Sequence, residues 1–149
     1  MRLPTDQDII ELADNLRQSD RDELAVVCEL SAREAVLKSV LASDPDFIFA
    51  AHADGKLLCI GGASSPTLLS PVAVPWLLAT DEMNRHTQRL TKDARRGVRM
   101  MLDKWPILTN VIDVRSTITI RWLKCIGFEF KETFVVRDNR PVIRFEMRR

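Results

Sequence analysis

Tyrosine is absent from this chain of 149 residues, so no phenolic hydroxyl is available to give up a proton. Cysteine is scarce: Cys28, Cys59 and Cys125 are odd in number and far apart, with no CxxC pair and no histidine at ligand spacing. Those absences exclude a disulfide framework and a zinc site, and they point to a reducing, intracellular setting. No stretch reaches the roughly 18 apolar residues of a membrane span, and the start MRLPTDQD lacks the apolar core of a leader, so neither a span nor a signal peptide is expected. A surplus of charge is missing too. Lys+Arg 22 against Asp+Glu 21 leave a formal +1, which excludes a strongly basic nucleic-acid binder and confines any basic patch to one face. With no repeat and no linker, residues 1–149 read as a single domain large enough for its own core.

What is present begins with helix signals. Thr5 precedes Ile9, Leu12, Ala13 and Leu16 on one face, with Asp6 and Asp8 at the favourable positive end. Ser19 starts a second helix with Leu24, Val27 and Cys28 inward, and Ser31 with Glu34 is a capping box for a third that stops at Asp44-Pro45. The period then changes to that of strands. Phe47 to Ser64 is two apolar runs joined by Asp54-Gly55, a hairpin turn whose positive φ those residues tolerate. Pro66, Pro71 and Pro75 make 64–75 a loop, followed by a short strand at 76–80. Leu90, Ala94, Val98, Met101 and Trp105 form the core stripe of a long helix, with Gly97 beside it allowing close packing. Pro106 ends that helix before a strand at 107–114, so the two strands are expected to run parallel across it. Ser116 caps a further helix stopped by Gly127, and 128–136 and 141–147 close the chain as a hairpin around Asp138-Asn139.

Several side chains invite a chemical reading. Arg89, Lys92, Arg96 and Arg99 repeat along one face of the long helix, with Arg95 nearby. They read as an anion or DNA contact or, because Asp93 and Asp103 interrupt them, as a solvated face. Trp76, Trp105 and Trp122 fall in apolar patterns and read as core. His52 lies among hairpin apolar residues and reads as structural, whereas His86 sits in an acidic-to-basic turn and is the better functional candidate.

Helices, hairpin, strand, long helix, strand, helix and hairpin is an order that resembles the GNAT N-acetyltransferase family. Residues 116–130, STITIRWLKCIGFEF, resemble that family's Asn-capped helix running into Gly-Phe. A narrower likeness is to the internal virion protein A type of short-tailed phages, on Ile60-Gly61-Gly62, Thr80-Asp81, the Lys/Arg-dense helix and the segment Thr117 to Gly127. The resemblance implies an α/β (α+β) GNAT-like acyl-CoA N-acyltransferase fold, a mixed central sheet flanked by helices.

Active members of the family hold the acyl-CoA pyrophosphate on backbone amides of a glycine-containing turn at the head of the long helix. The matching stretch here, 81–92, has no glycine, and Asp81 and Glu82 oppose a diphosphate. The family's acid tyrosine corresponds to Leu123 and its capping asparagine to Ser116. The expectation is therefore a virion-associated or assembly protein with no catalytic residue and no cofactor. It would work among other phage virion or assembly proteins in the host cytoplasm or the virion, with DNA contact by the basic helix a weaker option. The alternative is an active N-acetyltransferase with acetyl-CoA between 76–80 and 107–114, held by Leu78, Thr80, Arg85, Arg89 and Lys92. In it Glu82 or Asp113 is the general base, and water or Cys125 takes the place of the tyrosine.

Overall fold

The computed structural model of the chain describes residues 2–27 and 30–149; Cys28 lies outside them. Reciprocal capping starts the first helix, α1 (Asp6–Asn15): the Thr5 hydroxyl accepts from the Asp8 amide, and the Asp8 carboxylate accepts from the Thr5 amide at 2.8 Å. Ser31 and Glu34 repeat the device for α3 (Ala32–Ala42), and α2 (Gln18–Val27) lies between. Asp8 is more than a surface acid at a helix dipole. It is buried, and it also accepts from Arg2 at 2.6 Å and bonds the His52 ring at 2.8 Å, which gives His52 a structural task. Burial pushes its carboxyl up, but the Thr5 amide, Arg2 and His52 together hold it well below the usual range.

Strands β1 (Ile48–Ala53) and β2 (Lys56–Ser64) form the expected hairpin, with Asp54 at φ 51 and Gly55 at φ 75. β3 differs from its expectation. It runs from Val72 to Ala79 and takes in Pro75, within the stretch whose prolines predict a loop. Thr80 donates its amide to Leu58 O, and strand alternation then makes 74, 76 and 78 the residues hydrogen-bonded to β2. Position 75 faces away from β2, so proline costs that ladder nothing there.

A 3-10 helix (Asp81–His86) leads into α4 (Thr87–Lys104), then β4 (Ile107–Asp113), α5 (Thr117–Ile126), β5 (Glu129–Val136) and β6 (Arg140–Arg148). The six strands form one mixed sheet in the order β1-β2-β3-β4-β6-β5. Helices α1 and α3 cover Ala50, Leu57, Ile60 and Leu78. On the opposite face, α4 sets Val98, Met101 and Trp105 against Ala73, Leu108 and Ile112. Among the described residues no helix is long and apolar enough to cross a membrane.

Candidate functional site

β3 and β4 are parallel neighbours, but their ladder holds only Val72↔Ile107 and Ala73↔Leu108. Beyond it the strands part, and the expected partner stretch 76–80 pairs with β2 and, at its end, with the Leu16–Arg17 segment, not with β4. Pro75 has no amide to continue the ladder. Asn110 fills the apex: its Nδ2 donates to Pro75 O at 2.9 Å, and its Oδ1 accepts from the Val111 amide at 2.7 Å. The next cleft-facing residue on β3 is Leu77, whose main-chain groups point away from β2 and have no partner among the described residues. At the far end Ala79 is occupied again, its C=O accepting from the Arg17 amide at 2.9 Å and its N–H donating to Asp20 at 2.8 Å.

The parting opens a cavity of about 840 Å³ that runs through the sheet. Leu24, Lys38, Trp76 and Leu78 line it toward α2 and α3; Leu90, Ala94 and Trp122 line it toward α4 and α5. Two of the three tryptophans therefore wall the cleft while packing against the core as expected, and Trp105 is buried within it. Trp122 is fixed by its indole N–H on Thr91 Oγ1 at 2.8 Å, Trp76 by Ser43 Oγ at 2.8 Å. Gly97 lines the cleft as well, and a Cβ built there would meet nothing within 4 Å. Its absent side chain thus leaves the cavity open and does not serve close helix packing. Gly97→Ala should raise the unfolding free energy by about 0.5–1 kcal/mol, because glycine costs entropy inside a helix; urea denaturation measures it.

The residues singled out for a cofactor fall in three places. The Leu78 side chain lines the cleft, while its main chain pairs with Ile60. Thr80 is buried, and its hydroxyl donates to Leu57 O at 2.8 Å, so its polar groups serve β2. Arg85, Arg89 and Lys92 are exposed around the head of α4, Arg85 3.6 Å from Glu82 and Arg89 3.9 Å from Asp93. The turn before α4 is a 3-10 helix whose amides bond backward along the chain, so it is not an open cradle of free N–H groups. His86 ends that turn without a side-chain cap.

Neither expected base is free. The Lys56 ammonium at 3.1 Å holds the Glu82 carboxyl below its usual range, outside the cleft lining. The Arg115 guanidinium at 2.7 Å does the same to Asp113. Leu123 is buried and supplies no proton, and Ser116 precedes α5 without a side-chain cap bond. Cys125, the substitute for the tyrosine in the acetyltransferase alternative, is exposed away from the cleft lining with Arg95 at 3.3 Å from its sulfur. Burial pushes the Cys59 thiol up to about 12, which makes it inert. The sequence reading missed Glu23 of α2, whose carboxyl reaches the cavity between Asp20 and Asp113.

No protein-family model and no curated protein matches the chain. Solved structures do. The aminoglycoside acetyltransferase AAC(6')-Ib in complex with coenzyme A is 19% identical over 99% of this chain and 93% of its own, with a TM-score of 0.69. A GNAT-family acetyltransferase from Bacillus anthracis is 12% identical over 99% and 92%, TM-score 0.69. A ribosomal-protein-alanine N-acetyltransferase from Brucella melitensis is 15% identical over 99% and 98%, TM-score 0.68. The fold is therefore that of the GNAT acetyltransferases. These comparisons also correct the expectation of no cofactor, since the same fold is crystallised with coenzyme A or acetyl-CoA bound in AAC(6')-Ib. The missing glycines bear on the diphosphate turn alone. The apolar cleft, open at Gly97 and with an unpaired main-chain edge at Leu77, suits a narrow amide-bearing arm.

Proposed function

We propose that the chain is an N-acyltransferase that moves an acyl group from an acyl-CoA thioester to an amine. The observation that carries this reading is the parting of β3 from β4 around an unpaired Leu77, which gives a thioester arm a strand edge to pair with. Leu77 would bond the arm's amides, Leu78 and Trp122 would wall it, and Thr80 would anchor the end of β3 on β2. Arg85, Arg89 and Lys92 would meet the phosphates as side-chain cations, standing in for the amides that the 3-10 helix has consumed. When bound, the thioester supplies an activated acyl carbon for the amine to attack. Residues from both faces of the sheet line the cavity, so donor and acceptor would approach from opposite sides and meet between the strands.

The virion-assembly role suggested by 117–127 draws no support from the matched structures whose names state an activity, since those are acetyltransferases. Calorimetric titration with acetyl-CoA tests the proposal. Binding is expected, and the double variant Arg89→Glu, Lys92→Glu should lose most of it together with its salt dependence while keeping the parent's melting temperature. Absence of heat and of any ligand-induced rise in melting temperature for the parent protein would reject the acyltransferase reading. Spermidine and kanamycin, amines named with two of the matched acetyltransferases, are suitable first acceptors.

A further inference from the structure

Helix α2 crosses the wide end of the cleft and holds both strands. Asp20 takes the Ala79 N–H of β3 at 2.8 Å, and one turn on Glu23 lies against Asp113 of β4 with its carboxyl turned toward that residue's backbone N–H. The two carboxylates are not equivalent. Asp20 is saturated by Arg17, through Nε at 2.9 Å and Nη2 at 3.0 Å, whereas among the described residues no cation forms an ion pair with Glu23, Arg17 acting on it only through its charge. From β4, Asp113 faces Glu23 but is itself paired with Arg115 and lies near Arg140; from α3, Lys38 lines the same cavity. Resting on the acyltransferase reading, we propose that Glu23 is the catalytic base, taking the proton from an ammonium acceptor in the cleft.

The chemistry balances without any further reactant. The ammonium gives one proton to the Glu23 carboxylate, which frees the nitrogen lone pair. The carbon–nitrogen bond forms as the carbon–sulfur bond breaks, and the sulfur leaves with its bonding pair and takes the second nitrogen proton. Glu23 then returns its proton to solvent. A base for this step works best with a proton affinity near the ambient pH. Burial pushes the Glu23 carboxyl up, the Asp20 and Asp113 charges push it further, and the Asp113 amide and Arg17 pull it back, leaving it at about 7. Glu82 and Asp113, held low by their cations, are weaker bases at that pH.

Two measurements test the assignment. Carbon-13 NMR of the side-chain carboxyls in the free protein, with Glu23→Asp and Glu23→Gln for resonance assignment, should show Glu23 titrating near neutrality; an ordinary carboxylate midpoint would overturn the proposal whatever the activity. In turnover with acetyl-CoA and spermidine or kanamycin, Glu23→Gln should lower kcat by about a hundredfold or more, abolish the acidic limb of the kcat profile and leave acetyl-CoA affinity unchanged. Glu23→Asp should restore part of the rate. A Gln variant that keeps the parent's kcat and pH profile rejects Glu23 as base while leaving acetyl-CoA binding, and with it the acyltransferase reading, intact.

Discussion

At pH 8 the Glu23→Gln protein should be more stable to urea than the parent by about 2–3 kcal/mol, and at pH 4 the two should match. The folded carboxyl sits at about 7 against an ordinary 4.5, so its contribution to stability is fully present below 4.5 and is lost as pH rises through 7. Glutamine keeps an oxygen for the Asp113 amide but never ionises, so it removes the loss. Urea midpoints measured at half-unit steps from pH 4 to 8 would check this; parallel curves for the two proteins contradict it. A substitution that stabilises the fold while silencing turnover is the pattern expected where a buried charge is kept for chemistry.

Asp20→Ala is expected to act in the opposite direction, costing about 3–5 kcal/mol at pH 7. Asp20 is buried, and its removal strands the Ala79 amide and the largely covered Arg17 guanidinium together. Asp20→Asn should lose less, because its amide oxygen still accepts from Ala79 while its NH2 faces Arg17. Denaturant unfolding of both variants gives the comparison, and a loss below 1 kcal/mol in the alanine variant would mean that α2 is held by its apolar contacts alone. Since the Asp20 charge helps raise Glu23, the alanine variant should also move the Glu23 midpoint downward.

How far the sequence exposes these features depends on how local their causes are. The Asp54-Gly55 turn and the Leu90–Trp105 stripe arise from neighbours a few residues apart, and both stand where periodicity places them. Pro75 misled because its tolerance depends on which side of β3 faces β2, a fact set by pairing with residues 59–64. Glu23 is hidden in the sequence for a related reason. Helix periodicity marks apolar residues, whereas what gives the carboxyl its character is burial first, then the Asp20 charge, then Asp113, on a strand that folding brings to it from far along the chain. Gly97 was legible as unusual, but only the emptiness around it shows which way to read it. The offsets in 117–127 that suggested a virion protein also describe α5 and its Gly127 stop, a helix that the broader fold requires in any case.

The seam at Asn110 divides the sheet into two antiparallel halves, β1-β2-β3 and β4-β6-β5, which share two residue pairs and one amide side chain. Each half carries a long ladder of its own, interrupted by a register shift at Ala51/His52 in one and between Phe130 and Thr133 in the other, so the line of fewest pairings between neighbouring strands runs down the middle of the sheet. Breathing motions would follow that line, with α2 as the outer hasp and Asn110 as the pivot. An extended molecule lying between the strands would then serve as a surrogate seventh strand, and its arrival would stiffen the whole sheet by joining halves that the polypeptide leaves almost separate.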